Sequence, residues 1–300
     1  MCKTMLERDI SRVNSYELKE YKKGYRIPIV SDTMFNTMLN NESRKIYAAY
    51  LIALTLDMDY KKVYDSLIFV KDKLDKENYH ESSKTVDLVC KIDKEIIGIE
   101  MNNNTSKAAL ERNLSYAADL YKSKMIRGSA YNYQKVIQIN INNFTFEGNN
   151  STIERYSLKN EKGEMFTDKL IFIHIYLPNI RKKCYNKGVE ELNDLEKLLL
   201  IFNEDKNLQE LCGGNRIMEE YVKESIDASK EDEVIGLYDK ELHLEKLRLS
   251  EIEEAEERGI EQGIDQRNIE IAKNLLKSKV SIDIISSSTG LSNEQIMDLK

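Results

Sequence analysis

A chain of 300 residues, 41% hydrophobic and 32% charged, has enough apolar material for a sizeable core under a heavily solvated surface. No apolar run approaches the ~18 residues of a bilayer-spanning helix, and the opening MCKTMLERDI lacks the apolar stretch of a secretion signal. The formal net charge of −7 is concentrated in the late segment EDEVIGLYDKELHLEKLRLSEIEEAEERGIEQ, so it neither supports nor excludes nucleic acid, which is bound through local patches.

The spacing predicts a long helix over roughly 32–57. Pro28 keeps Ile27 extended, Ser31 is the N-cap, and Asp32 stands in the first turn. Ser66–Val70 is a short apolar run with strand character. Two β-rich runs, Thr85–Ile92 and Glu95–Asn102, flank Asp93-Lys94, and a two-residue connection predicts a hairpin. Thr105 or Ser106 caps a second helix running to about Arg127, with Gly128 as its stop. Strands follow at Lys135–Phe144 and Leu170–Leu177. From about Gly188 the pattern is helical: EELNDLEKLLLIF is amphipathic, Gly213-Gly214 interrupts, and a charged helix runs from about Ile217 into the 260s. In the tail, Ser281 starts a short helix, Thr289-Gly290-Leu291 turns, and Ser292 with Gln295 has the capping-box spacing.

This order is α/β in the first half and helical afterwards, with expected segments 1–185 (core), 186–250 (helical extension) and 251–300 (charged helix and helix-turn-helix-like tail). Only Lys300 is basic after Ser292, so packing or protein contact is expected of the tail rather than major-groove reading. Gly259 and Gly263, four apart in an acidic helix, suit a solvated or self-associating helix, and a homo-oligomer through the helical half is expected. Cys2, Cys90, Cys184 and Cys212 form neither a disulfide framework nor a zinc pattern and suit a reducing cytoplasm. His80, His174 and His243 are isolated from any nucleophile pattern.

A regular hairpin around Asp93-Lys94 opposes Ile92 to Glu95 and Lys91 to Ile96, and by continuation Asp87 to Glu100. Facing carboxylates repel across a sheet, so two readings stand. In one, they lie on the solvated face of an amphipathic hairpin. In the other, a divalent cation compensates them, Mg²⁺ favouring one or two carboxylates. Asn102 follows on the same face and is placed to position a water or a phosphate oxygen. Arg112 and Tyr116 share a face of the second helix, where Arg112 could reach a phosphate and Tyr116 orient it; the alternative is a packed Tyr beside a solvated Arg.

Three stretches, SDTMF at the first helix, VDLVCKIDKEIIGIEMNNN over the hairpin and LERNLSYAADLYKSKMIRGSAYNYQKVIQINI beyond it, together resemble the PD-(D/E)XK nuclease superfamily. Within it, the chain is similar to the recombination-promoting nuclease and PD-(D/E)XK nuclease family transposase group over residues 26–180, and its tail is similar to tails of that group. The resemblance implies a restriction-endonuclease-like core and Mg²⁺-dependent hydrolysis of DNA phosphodiesters, with Mn²⁺ as a substitute metal, in recombination or mobile-element biology. It makes Asp87 and Glu100 the metal-binding carboxylates; Asp32 either joins their shell or is a helix-start charge. Asn102 stands where the superfamily has Lys and the group often has Gln, and Asn36 where the first helix has Lys. An amide offers only a neutral dipole to a charged transition state. These departures motivate the alternative, a weak or inactive nuclease-fold module that binds DNA or protein.

Overall fold

A computed structural model describes residues 26–70, 86–103, 107–123, 134–203 and 207–299. Cys2, His80, Thr85, Thr105, Ser106, Arg127 and Gly128 fall outside them. Contacts divide the chain into two compact units, one up to Glu241 and one from Leu242 onward.

Three helices open the first unit: α1 (Asp32–Leu39), α2 (Lys45–Leu56) and α3 (Tyr60–Ser66). Ser31 caps α1 as expected, its hydroxyl accepting from the Met34 N–H. The single helix expected over 32–57 is instead broken at Asn40-Asn41. The Asn41 side chain caps a short 3₁₀ turn, Glu42–Arg44, by accepting from Ser43 N–H, and amides at such positions compete with the helical backbone. Ser66 ends α3, so the strand expected from 66 shrinks to β1 (Ile68–Phe69).

Next come β2 (Leu88–Ile92), β3 (Glu95–Asn102), α4 (Lys107–Ser123), β4 (Lys135–Asn142), β5 (Ile153–Lys159) and β6 (Met165–Tyr176). Among the described residues they form one mixed sheet of order β1-β2-β3-β4-β6-β5, in which β3-β4 and β4-β6 pair parallel and the rest antiparallel. The β2–β3 hairpin has the expected register, Leu88 opposite Ile99 and Ile92 opposite Glu95. Its turn puts Asp93 at φ 51°, a left-handed conformation that Asp tolerates better than most residues. β5 escapes the sequence pattern because it is an outer strand with no fully buried residue and no clean alternation.

One face of this sheet is apolar. Ile97, Ile99, Ile139, Ile141 and Ile173 are each 0% exposed, and full burial of such a side chain contributes ~1.5–3 kcal/mol. Arg155 of β5 donates to the Thr55 carbonyl of α2 on this side. α2 is buried nearly all round, from Tyr47 to Thr55, as a helix must be when it is covered on both sides. Its outer cover comes from later in the chain, from α6 (Asp194–Ile201) and α8 (Arg216–Ala228), with α5 (Leu177–Lys187) and α7 (Leu208–Cys212) packed beside them. Tyr221 packs edge-on to Tyr47 at 4.8 Å, and Asn215 donates to the Tyr50 hydroxyl at 2.6 Å. The helices after Gly188 therefore complete the core. Asn193 and Glu196 form a capping box at α6, and Gly213 ends α7 in the left-handed region at φ 54°.

α9 (Asp232–Lys277) begins after a break at Ser229–Glu231, where one continuous charged helix was expected. In the second unit, the end of α9 with α10 (Ile282–Thr289) and α11 (Asn293–Asp298) buries Ala272, Ile285 and Ile296. The expected Ser292–Gln295 capping box is present.

α4 lies over the other face of the sheet. A methyl on Gly98 of β3 would stand 2.4 Å from Gln138 Oε1 and 3.0 Å from Leu120 Cδ1, so only glycine allows α4 this close. Gly98→Ala is expected to lose ~1–3 kcal/mol of unfolding free energy in urea. Gly259→Ala has nothing within 4 Å of the added methyl, and hydrogen exchange should show α9 gaining ~1 kcal/mol of protection.

Candidate metal centre

Asp87 stands one residue before β2, and Glu100 lies on β3 where the register continues. The two carboxylates face each other as the hairpin spacing predicts, and each accepts from a backbone N–H of the opposite arm of the hairpin. Met101 N–H donates to Asp87 Oδ2 at 2.9 Å, and Asp87 N–H to Glu100 Oε1 at 3.2 Å. Glu100 is 3% exposed. Of the two readings left open by the sequence, the solvated face does not describe this side chain.

Both acids are shifted upward. Burial is the main cause, and it takes Asp87 to about 6 against the Met101 N–H, with Asp32 adding repulsion. Glu100 is pushed up to about 9, by burial first and the Asp87 charge second, with Arg112 opposing. Burial and the repulsion between the two acids thus both favour keeping a proton on the pair. A cation beside the pair would oppose both shifts by favouring the charged forms.

Asn40, at the break after α1, donates from Nδ2 to the Asp87 carbonyl at 2.9 Å and so fixes the approach to the site. Asp32 lies close enough for its charge to raise both acids. Its N–H and that of Thr33 donate to the two oxygens of Glu241, both at 2.9 Å. Among the described residues, no three His, Cys, Asp or Glu side chains converge as a metal-holding group. The donor set in place is therefore the Asp87–Glu100 pair. Asn36 donates back to the Asp32 carbonyl within α1.

Asn102 is 2% exposed, and both ends of its amide are engaged. Its Oδ1 accepts from Arg112 Nη2 at 2.8 Å, and its Nδ2 donates to Asn142 Oδ1 at 3.2 Å. The exposed Arg112 is thereby held at the sheet by Asn102. Tyr116, one turn on, is buried, and its phenol is raised by burial and then by the Glu100 charge.

From Asn102 a buried polar row continues across the sheet. Asn142 Nδ2 reaches the Ile175 carbonyl at 3.2 Å, and Asn140 Nδ2 lies 3.3 Å from His174 Nε2. Gln138, Asn140 and Asn142 are at most 1% exposed. Sequence reasoning missed this row, although QININ carried the signal, a polar residue at every second position of a strand otherwise built for burial.

A mixed sheet whose first hairpin faces two carboxylates, followed by a crossing helix and a parallel strand, defines a restriction-endonuclease-like α/β fold. The chain belongs to the PD-(D/E)XK nuclease family transposases, whose family model matches residues 29–255. Nucleases of this superfamily typically use divalent metals. Neither the curated proteins nor the solved structures contain a match.

The pair also makes a pH prediction. Both acids have folded-state pKa values raised above the unfolded ones, so the native state binds more protons than the unfolded chain between about pH 4.5 and 9. Stability is then highest at the acid end of that window and declines as pH rises. Urea denaturation of protein in EDTA is expected to show this decline, and Glu100→Gln to flatten most of it.

Proposed function

We propose that this protein is a metal-dependent DNA endonuclease, with Asp87 and Glu100 as metal ligands and Asp32 adding negative charge close by. The observation that carries the reading is the buried, mutually repelling carboxylate pair, a costly arrangement to keep without a cation. Two hard oxygen donors suit Mg²⁺, which keeps water and substrate oxygens in its remaining positions, and Mn²⁺ by the same chemistry. Bound there, the ion would supply Lewis-acid polarisation of a phosphate oxygen and a more acidic bound water.

The chain's own residues divide the remaining work. Arg112 offers its guanidinium to the phosphate beside the carboxylates and supplies the positive charge that Asn102 lacks. Asn102 is the positioning residue that holds Arg112. Tyr116 packs beneath it and limits water at Glu100. The family supports the nuclease fold and the mobile-element link; hydrolysis of DNA in that setting is our reading. Exposed Leu244, Leu247, Ile260 and Ile264 along α9 support self-association through the helical half. No described helix is long and apolar enough to cross a membrane. The free thiols Cys90 and Cys212 suit the reducing cytoplasm in which we place the protein.

The amide at 102 favours a second reading, a nuclease-fold module that binds DNA or a protein partner without cutting, since both its polar ends are spent inside the protein. Supercoiled plasmid separates the two. On the first reading, wild type nicks it with Mg²⁺ and not with EDTA, and Asp87→Ala and Glu100→Ala fall to background. Asn102→Ala loses about 10–100-fold by releasing Arg112. Folded wild type that cuts neither DNA nor RNA with Mg²⁺ or Mn²⁺ would overturn the first reading in favour of the binding module.

A further inference from the structure

Beyond the buried polar row, between Asn113 of α4 and the outer strands β5 and β6, opens a cleft of about 620 Å³. That volume is typical of small-ligand pockets, which span about 300–1,000 Å³. Loop residues 146–151 form one wall. His174 belongs both to this lining and to the polar row that starts at Asn102, so cleft and metal site share one sheet face. In strand register Glu100, Asn140, His174 and Glu154 stand side by side, and three strand spacings put the far wall about 14 Å from Glu100.

The lining chemistry is selective. None of the described residues around the cleft is Lys or Arg, and the lining they form is not one for a phosphate. Tyr156 meets the His174 ring edge-on at 5.5 Å, and Tyr176 stacks near His174 at 6.3 Å, giving flat aromatic walls. The Glu154 carboxylate accepts from Tyr156 at 2.6 Å and Tyr176 at 3.1 Å, which fixes an anionic acceptor at the rim. On the α4 side, Asn113 is 1% exposed, and neither its Nδ2 nor its Oδ1 has a hydrogen-bond partner among the described residues. An amide buried with both ends unmet is destabilising unless a ligand satisfies it.

We propose that this cleft takes one unpaired adenine base of the nucleic-acid strand whose backbone runs past the Asp87–Glu100 pair. Adenine offers N6–H₂ as donor and N7 as acceptor, the complement of the Asn113 amide. A carboxylate at the rim favours a base with an exocyclic amine over thymine, and the aromatic walls replace the stacking lost on unpairing. The proposal rests on the nuclease reading of the neighbouring carboxylates. It deepens that reading to a substrate that is single-stranded, or unpaired at the site.

The test uses full-length protein in EDTA, so that binding is read without cleavage, with fluorescein-labelled (dA)₁₂ and (dT)₁₂ followed by anisotropy. Wild type is expected to bind (dA)₁₂ at least about fivefold tighter than (dT)₁₂. Asn113→Leu is expected to erase that preference while keeping or raising Tm, because it removes a buried amide without partners. Tyr156→Phe, which keeps the ring, retains it. Equal affinities in wild type, or a preference that survives Asn113→Leu, would overturn the proposal. Displacement of (dA)₁₂ by micromolar AMP would also overturn it, by assigning the cleft to a free nucleotide. Plasmid nicking by the same preparations is scored separately. Base preference without nicking leaves the cleft standing and removes the nuclease; nicking without base preference does the reverse.

Discussion

Two carboxylates placed opposite each other on a sheet and buried together are the constraint around which this protein is built. In water Asp87 and Glu100 would each carry a charge at little cost. Here burial makes each charge expensive, and each raises the cost of the other. The surroundings hold the pair in place rather than relieve it. Asn40 grips the Asp87 carbonyl, the Met101 and Asp87 N–H groups bind one oxygen of each acid, and Asp32 adds a third negative charge nearby. A fold that keeps its acids this close has fixed the geometry of a site at the expense of stability, as binding sites for hard cations do.

The same face of the sheet departs from the usual rule for parallel strands, which bury apolar side chains on both faces. Behind β3, β4 and β6 the isoleucines obey it. In front, Glu100, Asn102, Gln138, Asn140, Asn142 and His174 are all buried. α4 closes over this polar layer by the glycine at 98 and seals only part of it. Near Arg112 it exposes a cation beside the acids, and near Asn113 it leaves an amide without partners at the wall of a cleft. Helix and polar layer together run from the facing acids at one end to an aromatic cleft rimmed by Glu154 at the other.

The hairpin and its facing acids were legible in the sequence because a two-residue connection leaves one simple register, and Asp93 accepts the positive φ that its turn demands. Helix caps at Ser31 and Ser292 were legible for the same local reason. What escaped depends on distant parts of the chain. The break at Asn40-Asn41 looks like ordinary helical sequence until Asp87 arrives as the partner of Asn40. Glu241 reads as one acid among many in a charged helix, yet it receives both first N–H groups of α1 from some 200 residues away. β5 has no burial pattern because it lies at the sheet's edge. The helices after 186 read as an extension, and only the all-round burial of α2 reveals that they are its cover. Asn102 read as a group facing the phosphate, whereas the fold spends its amide on Arg112 and Asn142.

On the reading proposed above, a divalent cation binding the buried pair displaces the proton that burial favours there. Titration calorimetry of Mg²⁺ into full-length protein at pH 7, repeated in buffers of different ionisation enthalpy, measures this directly. Saturable binding with about one proton released per ion, and loss of both in Glu100→Gln, is the expected result. Binding without proton release, or no Mg²⁺ binding by folded protein, would contradict it.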